Sequence, residues 1–244
     1  MTDSSSSSSG HETILERVAA VRQDGLELVY DLPKDATKED RARNWQFPAR
    51  VFRPDSGPTQ LLNGTELQAR VEAWLRSAGW SREVCGRWIF TWNAFQIECD
   101  PLSVLKTIEA YDLRSIEARE GSTFSDSMAR KPGTLTRTAG GGRGATYTAR
   151  LELDPAAVHR ERAKSDVAVA EIMRKPVTFE AALREREREA ITGTVLVTIE
   201  SDVTGQVWRQ TKVTTAETRK PGGAVETSKG TEVLTRQPVG KGRS

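Results

Sequence analysis

The strongest structural signal in the chain lies in residues 193–235, which read GTVLVTIESDVTGQVWRQTKVTTAETRKPGGAVETSKGTEVLT. Residues 195–199 place Val, Val and Ile at alternate positions, which is the two-residue period of a β-strand. Thr and Gly at 204–205, and Pro, Gly and Gly at 221–223, are typical turn residues. The segment therefore predicts three antiparallel strands joined in a meander.

Two helices and a strand are predicted before this meander. Residues 146–153 alternate between apolar and polar side chains, as a half-buried strand does. The pair at 154–155 is Asp followed by Pro, a helix-start signal, and Pro176 cannot continue that helix. Thr178 can cap a second helix. We expect residues 145–236 to form one lobe of strand, two helices and meander.

The N-terminal part is richer in aromatic residues, since twelve of the fifteen Phe, Trp and Tyr lie between Tyr30 and Phe124. Large aromatic side chains dominate cores, so we expect residues 11–118 to form a well-packed lobe. A capping box at Thr65 to Gln68 predicts a helix that ends at Gly79.

Other elements of this lobe follow from local patterns. Apolar residues at 14, 15, 18 and 21 have helical spacing and predict a first helix, and residues 26–30 then predict a strand. Residues 45–52 resemble an edge strand interrupted by Pro48. With the second lobe, the expected fold class is α+β in two lobes.

Three segments have the composition of flexible chain. Residues 119–144 are rich in Ser, Thr and Gly and predict a linker between the lobes. Residues 1–10 contain a run of six serines, and residues 237–244 follow the last predicted strand, so we expect both ends to be disordered tails.

Charge and hydropathy exclude several classes of partner. The net charge is +2, from 36 basic and 34 acidic residues, so bulk electrostatics does not favour nucleic acid. The basic glycine segments 140–144 and 240–243 are more typical of a connector and a tail. No apolar run approaches the roughly 20 residues of a membrane span. With no secretory signal visible, we expect a cytoplasmic protein, or an envelope protein if the N-terminus is not native.

The reactive side chains suggest neither a metal site nor a nucleophile. Cys85 and Cys99 are expected to be buried, reduced thiols, since a cytoplasmic pair rarely forms a disulfide. His159 lies in a charged run that predicts a solvated helix face, and the Arg and Glu residues of 184–189 predict another. There is no phosphate-binding loop or dinucleotide fingerprint, so we expect no cofactor.

The densest aromatic segment is 85–100, which reads CGRWIFTWNAFQIECD. Its first interpretation is a central hairpin of the core, with residues 88, 90 and 92 on one face. The alternative is a platform that stacks on a planar ligand and fixes it by hydrogen bonds. The ligand-binding residues would then be Trp88, Trp92, Asn93 and Gln96.

Glu98 and Asp100 are the candidate catalytic residues. Two nearby carboxyl groups in different environments can act as an acid and base pair. Asp100, however, also precedes Pro101 as a helix cap.

We therefore expect a soluble, non-catalytic binding or scaffolding protein whose partner is an unidentified protein or small molecule. The alternative is a small hydrolase or isomerase that uses Glu98 with Asp100. The strands at 193–200 and 204–214 resemble the sheet-and-helix lobes of bacterial envelope proteins, a likeness that assigns no residue a role.

Overall fold

The computed structural model describes residues 9–90, 94–142, 144–175 and 177–238. The chain divides into two compact units, one comprising Met1–Arg87 and Gln96–Ala110 and the other Trp88–Phe95 and Tyr111–Ser244. Helices are combined with antiparallel sheets, so the α+β class is confirmed.

The first unit opens with a four-stranded antiparallel sheet in the order β1-β2-β3-β4 and a helix that follows it. Its elements are β1 (Leu15–Arg22), β2 (Gly25–Asp31), α1 (Lys38–Arg43), β3 (Ala49–Pro54), β4 (Gln60–Leu61) and α2 (Gly64–Ser77). The fully buried residues of this unit include Val51 of β3 and Leu67 and Val71 of α2. The predicted strand 26–30 and the helix after Thr65 are thus confirmed.

Strand β1 corrects the prediction of an N-terminal helix. It pairs with β2 from Leu15 opposite Asp31 to Arg22 opposite Gly25, with an irregularity between Val18 and Ala20. Val18 is 50% exposed and Val21 is 77% exposed. The apolar spacing therefore does not mark a buried helix face, and pairing with β2 determines the conformation instead.

The start of α2 also differs from the predicted capping box. Asn63, not Thr65, is the cap residue, and its side chain makes no capping bond to the helix backbone. The amide oxygen of Asn63 accepts from the backbone N–H of Arg50 at 2.8 Å. Its amide nitrogen donates to Glu66 Oε2 at 3.1 Å and to the carbonyl of Pro48 at 3.2 Å. This buried amide joins helix α2 to strand β3.

A 3₁₀ turn at Arg82–Val84 precedes a short hairpin of β5 (Trp88–Phe90) and β6 (Ala94–Gln96). Helix α3 (Ser103–Ala110) then buries Val104 and Ile108, and a second 3₁₀ turn covers Leu113–Ser115.

The second unit contains a five-stranded antiparallel sheet in the order β13-β12-β11-β10-β9. Its core cluster joins Leu151, Val195, Val197 and Ile199 to Val158 of a helix. The predicted helices and meander are confirmed. The elements are β7 (Thr123–Phe124), β8 (Gly133–Thr134), β9 (Thr136–Gly141), β10 (Gly144–Glu152), α4 (Pro155–Ile172), α5 (Phe179–Arg186), β11 (Ala190–Ser201), β12 (Val207–Arg219) and β13 (Val225–Thr235).

Residues 119–144, expected to be a flexible linker, carry three strands in the structure. β7 pairs with β8, and β9 pairs with β10. Ser122 and Leu135 are buried, and the N–H of Leu135 donates to the carbonyl of Ser122 at 2.8 Å. A Ser, Thr and Gly composition is typical of a flexible linker, but it is equally compatible with short strands and tight turns. Composition alone therefore does not distinguish the two.

None of the helices in the described ranges has the length and apolar character needed to cross a membrane. Arg143 lies outside the described residues, as do residues 1–8 of the expected tail 1–10 and residues 239–244 of the expected tail 237–244.

Candidate functional site

The base of the aromatic hairpin is closed by a disulfide between Cys85 and Cys99. The N–H of Gly86 donates to the carbonyl of Ile97 at 2.8 Å, and the N–H of Ile97 donates to the carbonyl of Arg87 at 2.9 Å. The pairing of these two chain segments brings the cysteine Cα atoms to 5.7 Å, within the range that a disulfide spans. The prediction of two free thiols is therefore wrong.

Gln96, predicted to bind a ligand, contributes to this base. Its side-chain nitrogen donates to the carbonyl of Gly86 at 2.7 Å. Gly86 has a φ of +81°, a conformation that glycine adopts most readily. The amide of Gln96 thus stabilises the hairpin.

The aromatic residues of β5 and β6 are more exposed than a core hairpin requires. Trp88 and Ile89 are half-buried, whereas Phe90 is 62% exposed and Phe95 is 38% exposed. Strand β5 lies beside α4, and each strand of the hairpin has only three residues. So short a hairpin presents aromatic side chains to solvent. Trp92 and Asn93 lie outside the described residues.

The two candidate carboxylates are exposed and lie in the chain after the hairpin, on either side of the buried Cys99. Glu98 Oε1 accepts from the backbone N–H groups of Cys99 and Asp100, both at 2.8 Å. Asp100 Oδ1 accepts from the N–H of Leu102 at 2.9 Å, just before α3. Each carboxylate therefore satisfies backbone donors of its own turn.

Both carboxylates line an open depression of about 470 Å³ in the first unit. The disulfide, Arg82 and Gln68 also border it. Arg82 Nε donates to Glu72 Oε1 at 2.6 Å, and Gln68 donates to the same oxygen at 3.1 Å. The depression is thus bordered by a cation, an amide and two carboxylates beside a disulfide, and each of these polar groups is hydrogen-bonded within the chain.

A second polar cluster, in the other unit, surrounds His159. This residue is buried, contrary to the predicted solvated face, and its Nε2 donates to the carbonyl of Glu189 at 3.0 Å. Arg162 donates to Thr218 Oγ1 at 3.0 Å. Sequence reasoning missed the burial because the charged residues that follow His159, Arg160 and Glu161, are exposed, although Ala157 and Val158 before it are buried. The His159 contact to a main-chain carbonyl connects α4 to the chain before β11.

Arg186 completes this cluster. Its guanidinium donates to Asp166 and to Glu189 Oε1, the latter at 2.9 Å. The hydrogen bonds to Asp166, and secondarily those to Glu189, raise the pKa of Arg186 further above its usual range, against the opposing effect of burial. The charged network fixes α5 to α4 and is a structural feature.

The described residues contain no group of three or more His, Cys, Asp or Glu side chains placed to hold a metal ion. Comparison of the chain with protein-family models, with curated proteins and with solved structures found no match.

Proposed function

We propose that this protein is a non-catalytic binding or scaffolding protein and that the aromatic hairpin of β5 and β6 is its contact surface. The observation that carries the proposal is the exposure of Phe90, at 62%, on a hairpin that also exposes Phe95. Burying such a ring against a partner removes a large apolar area from water. Aromatic residues are also enriched among the side chains that dominate binding energy.

The construction of the hairpin supports this role. The disulfide and the backbone bonds of Gly86 and Ile97 hold together the chain that enters β5 and the chain that leaves β6. A preorganised contact element loses less conformational entropy on binding than a flexible loop. We propose a partner with an apolar or planar surface, either a protein or a small molecule, with Trp88 and Trp92 as further contacts.

A photocrosslinking experiment tests the proposal. Benzoylphenylalanine is introduced at Phe90, and the full chain is irradiated in an extract of the cells that produce it. The matched control carries the same group at Val203, which is 70% exposed in the turn between β11 and β12. We expect a discrete adduct at position 90 alone. Adducts of equal yield at both positions, or none at position 90, would contradict the proposal.

The second candidate function is an enzyme at the depression beside the disulfide. The observation that favours it is that Glu98 and Asp100 line one cavity together with Arg82. An acid and base pair requires carboxyl pKa values that differ widely. A carbon-13 NMR titration of both carboxyl groups tests this directly, and two ordinary, similar pKa values would eliminate the candidate.

The disulfide also bears on cellular location. We propose an oxidising compartment in place of the expected cytoplasm, because glutathione and thioredoxin keep cytosolic thiols reduced. Thiol trapping in intact cells tests this: Cys85 and Cys99 should resist alkylation until a reductant is added. Alkylation of both residues without reductant would restore the cytoplasmic assignment.

A further inference from the structure

Strand β13 is a long edge of the five-stranded sheet. It pairs with β12 from Val225 opposite Arg219 to Thr235 opposite Arg209, and this register has no irregularity. Along its other side, β13 has no strand partner among the described residues. The opposite edge, β9, is a poorer template because it has six residues and its register with β10 shifts between Thr146 and Tyr147.

The side chains of β13 leave this edge open. All its residues except the half-buried Leu234 are exposed, including Val225 at 52% and Val233 at 47%. A flat edge strand presents a row of unpaired N–H and C=O groups that can hydrogen-bond to another strand. Native proteins shorten, bend or cover such edges, and β13 has eleven residues in regular pairing.

We propose that β13 pairs antiparallel with β13 of a second copy of this chain, joining two five-stranded sheets into one. A second copy is the partner certain to carry a free edge of the same length. Two identical antiparallel strands in one sheet are related by a twofold axis perpendicular to the sheet, so a residue lies opposite itself at the centre. Full overlap of Val225–Thr235 places Gly230 at that centre.

The charges on the strand favour this full-overlap register. Lys229 lies opposite Thr231 of the second copy, and Glu232 lies opposite Ser228, so no like charges face each other. Sliding the strands by two residues in one direction places Lys229 opposite itself and Glu226 opposite Glu232. Sliding in the other direction creates no like-charge pair but loses two of the eleven residue pairs. Full overlap therefore combines the longest ladder with no repulsion.

Charge substitutions at one cross-strand pair test both the dimer and its register. The oligomeric state of the full chain is measured by sedimentation over a wide concentration range. Thr231→Lys places two symmetric lysine pairs across the twofold axis, and we expect about a tenfold higher dimer Kd. Adding Lys229→Glu to that variant converts both pairs to attractive ones and should restore the dimer.

The controls separate this effect from net charge and from folding. Val203→Lys adds the same charge in the exposed turn between β11 and β12 and should leave the dimer Kd unchanged. Thr231 is exposed, so Thr231→Lys should retain the wild-type denaturation midpoint when both proteins are measured below the dimer Kd, where they are monomeric. A chain that stays monomeric at every concentration overturns the proposal. So does a dimer that Thr231→Lys does not weaken, or one that the double substitution does not restore.

Discussion

The guanidinium of Arg186 holds the carboxylate of Asp166 by two hydrogen bonds, 2.7 Å from Nε to Oδ2 and 2.6 Å from Nη2 to Oδ1. This fork-like pairing joins α5 to α4. The same guanidinium contacts Glu189, whose side chain is 7% exposed. The alternating charges of 184–189, which are typical of a solvated helix face, therefore include two inward-facing residues, Arg186 and Glu189.

Replacing Arg186 with methionine should lower the free energy of unfolding by about 2–3 kcal/mol. The substitution keeps much of the apolar stem but removes hydrogen bonds to two carboxylates. It also leaves buried Glu189 with Arg162 Nε, at 3.6 Å, as its nearest cation. Urea denaturation at neutral pH measures the loss.

Arg188→Met is the matched control for that substitution. Arg188 pairs with Glu185 at 3.0 Å, but both side chains are more than 60% exposed. Exposed ion pairs contribute little, so the change should stay within about 0.5 kcal/mol. Equal losses of unfolding free energy in the two variants would show that the hydrogen bonds of Arg186 to Asp166 and Glu189 contribute no more than an exposed ion pair.

The start of α2 should be sensitive to acid through Glu66. The hydrogen bond from Asn63 lowers the pKa of this carboxyl below its ordinary value, against a smaller effect of burial, and Arg70 lowers it further. A lowered pKa stabilises the fold above the unfolded pKa of about 4.5, and this stability is lost as the pH falls through the folded value. Glu66→Gln should therefore reduce the stability lost between neutral pH and pH about 3.

Denaturation midpoints at the two pH values measure this difference. Glu39→Gln, which removes an exposed carboxylate of α1, should leave the acid loss at its wild-type size. A Glu66→Gln profile parallel to the wild-type profile would contradict the role of Glu66.

Most regular elements could be predicted because local sequence determines them. Asp154 and Thr178 are caps for α4 and α5, and their side chains accept from the backbone as expected. The alternating apolar residues of β11 occupy its buried positions, and Val195 and Val197 are fully buried. The conformation of β1 could not be predicted, because its pairing with β2 and not its own period determines it.

The candidate site was harder to predict because it depends on register and packing. The sequence predicts the aromatic hairpin, but its composition does not reveal whether a neighbouring layer covers it. The disulfide depends on the pairing that brings Cys85 beside Cys99, and no spacing rule provides this pairing. The burial of His159 depends on its contact with Glu189, thirty residues away.

The disulfide should contribute measurably to stability. Closing a loop of this length reduces the entropy of the unfolded chain and is worth about 3 kcal/mol. A double Cys85→Ser and Cys99→Ser variant should lose about that amount in urea denaturation. Adding reductant should destabilise the wild-type protein and leave the double variant unchanged. A reductant effect of equal size in both proteins would exclude the disulfide as its cause.

Gly144, the first residue of β10, tests whether the end of the segment 119–144 is part of the fold or a free connection. Its φ is +125°, and a Cβ built there would lie 1.9 Å from the carbonyl oxygen of Ser201 in β11. Gly144→Ala must move one of two paired strands, and we expect a loss of about 2–4 kcal/mol from backbone strain and overpacking together. Gly142→Ala is the matched control two residues away, because a Cβ there meets no atom within 4 Å, and it should stay within about 0.5 kcal/mol. In a flexible linker the two glycines would be equivalent. Equal denaturation midpoints for the two variants would therefore support the interpretation of residues 119–144 as a flexible linker.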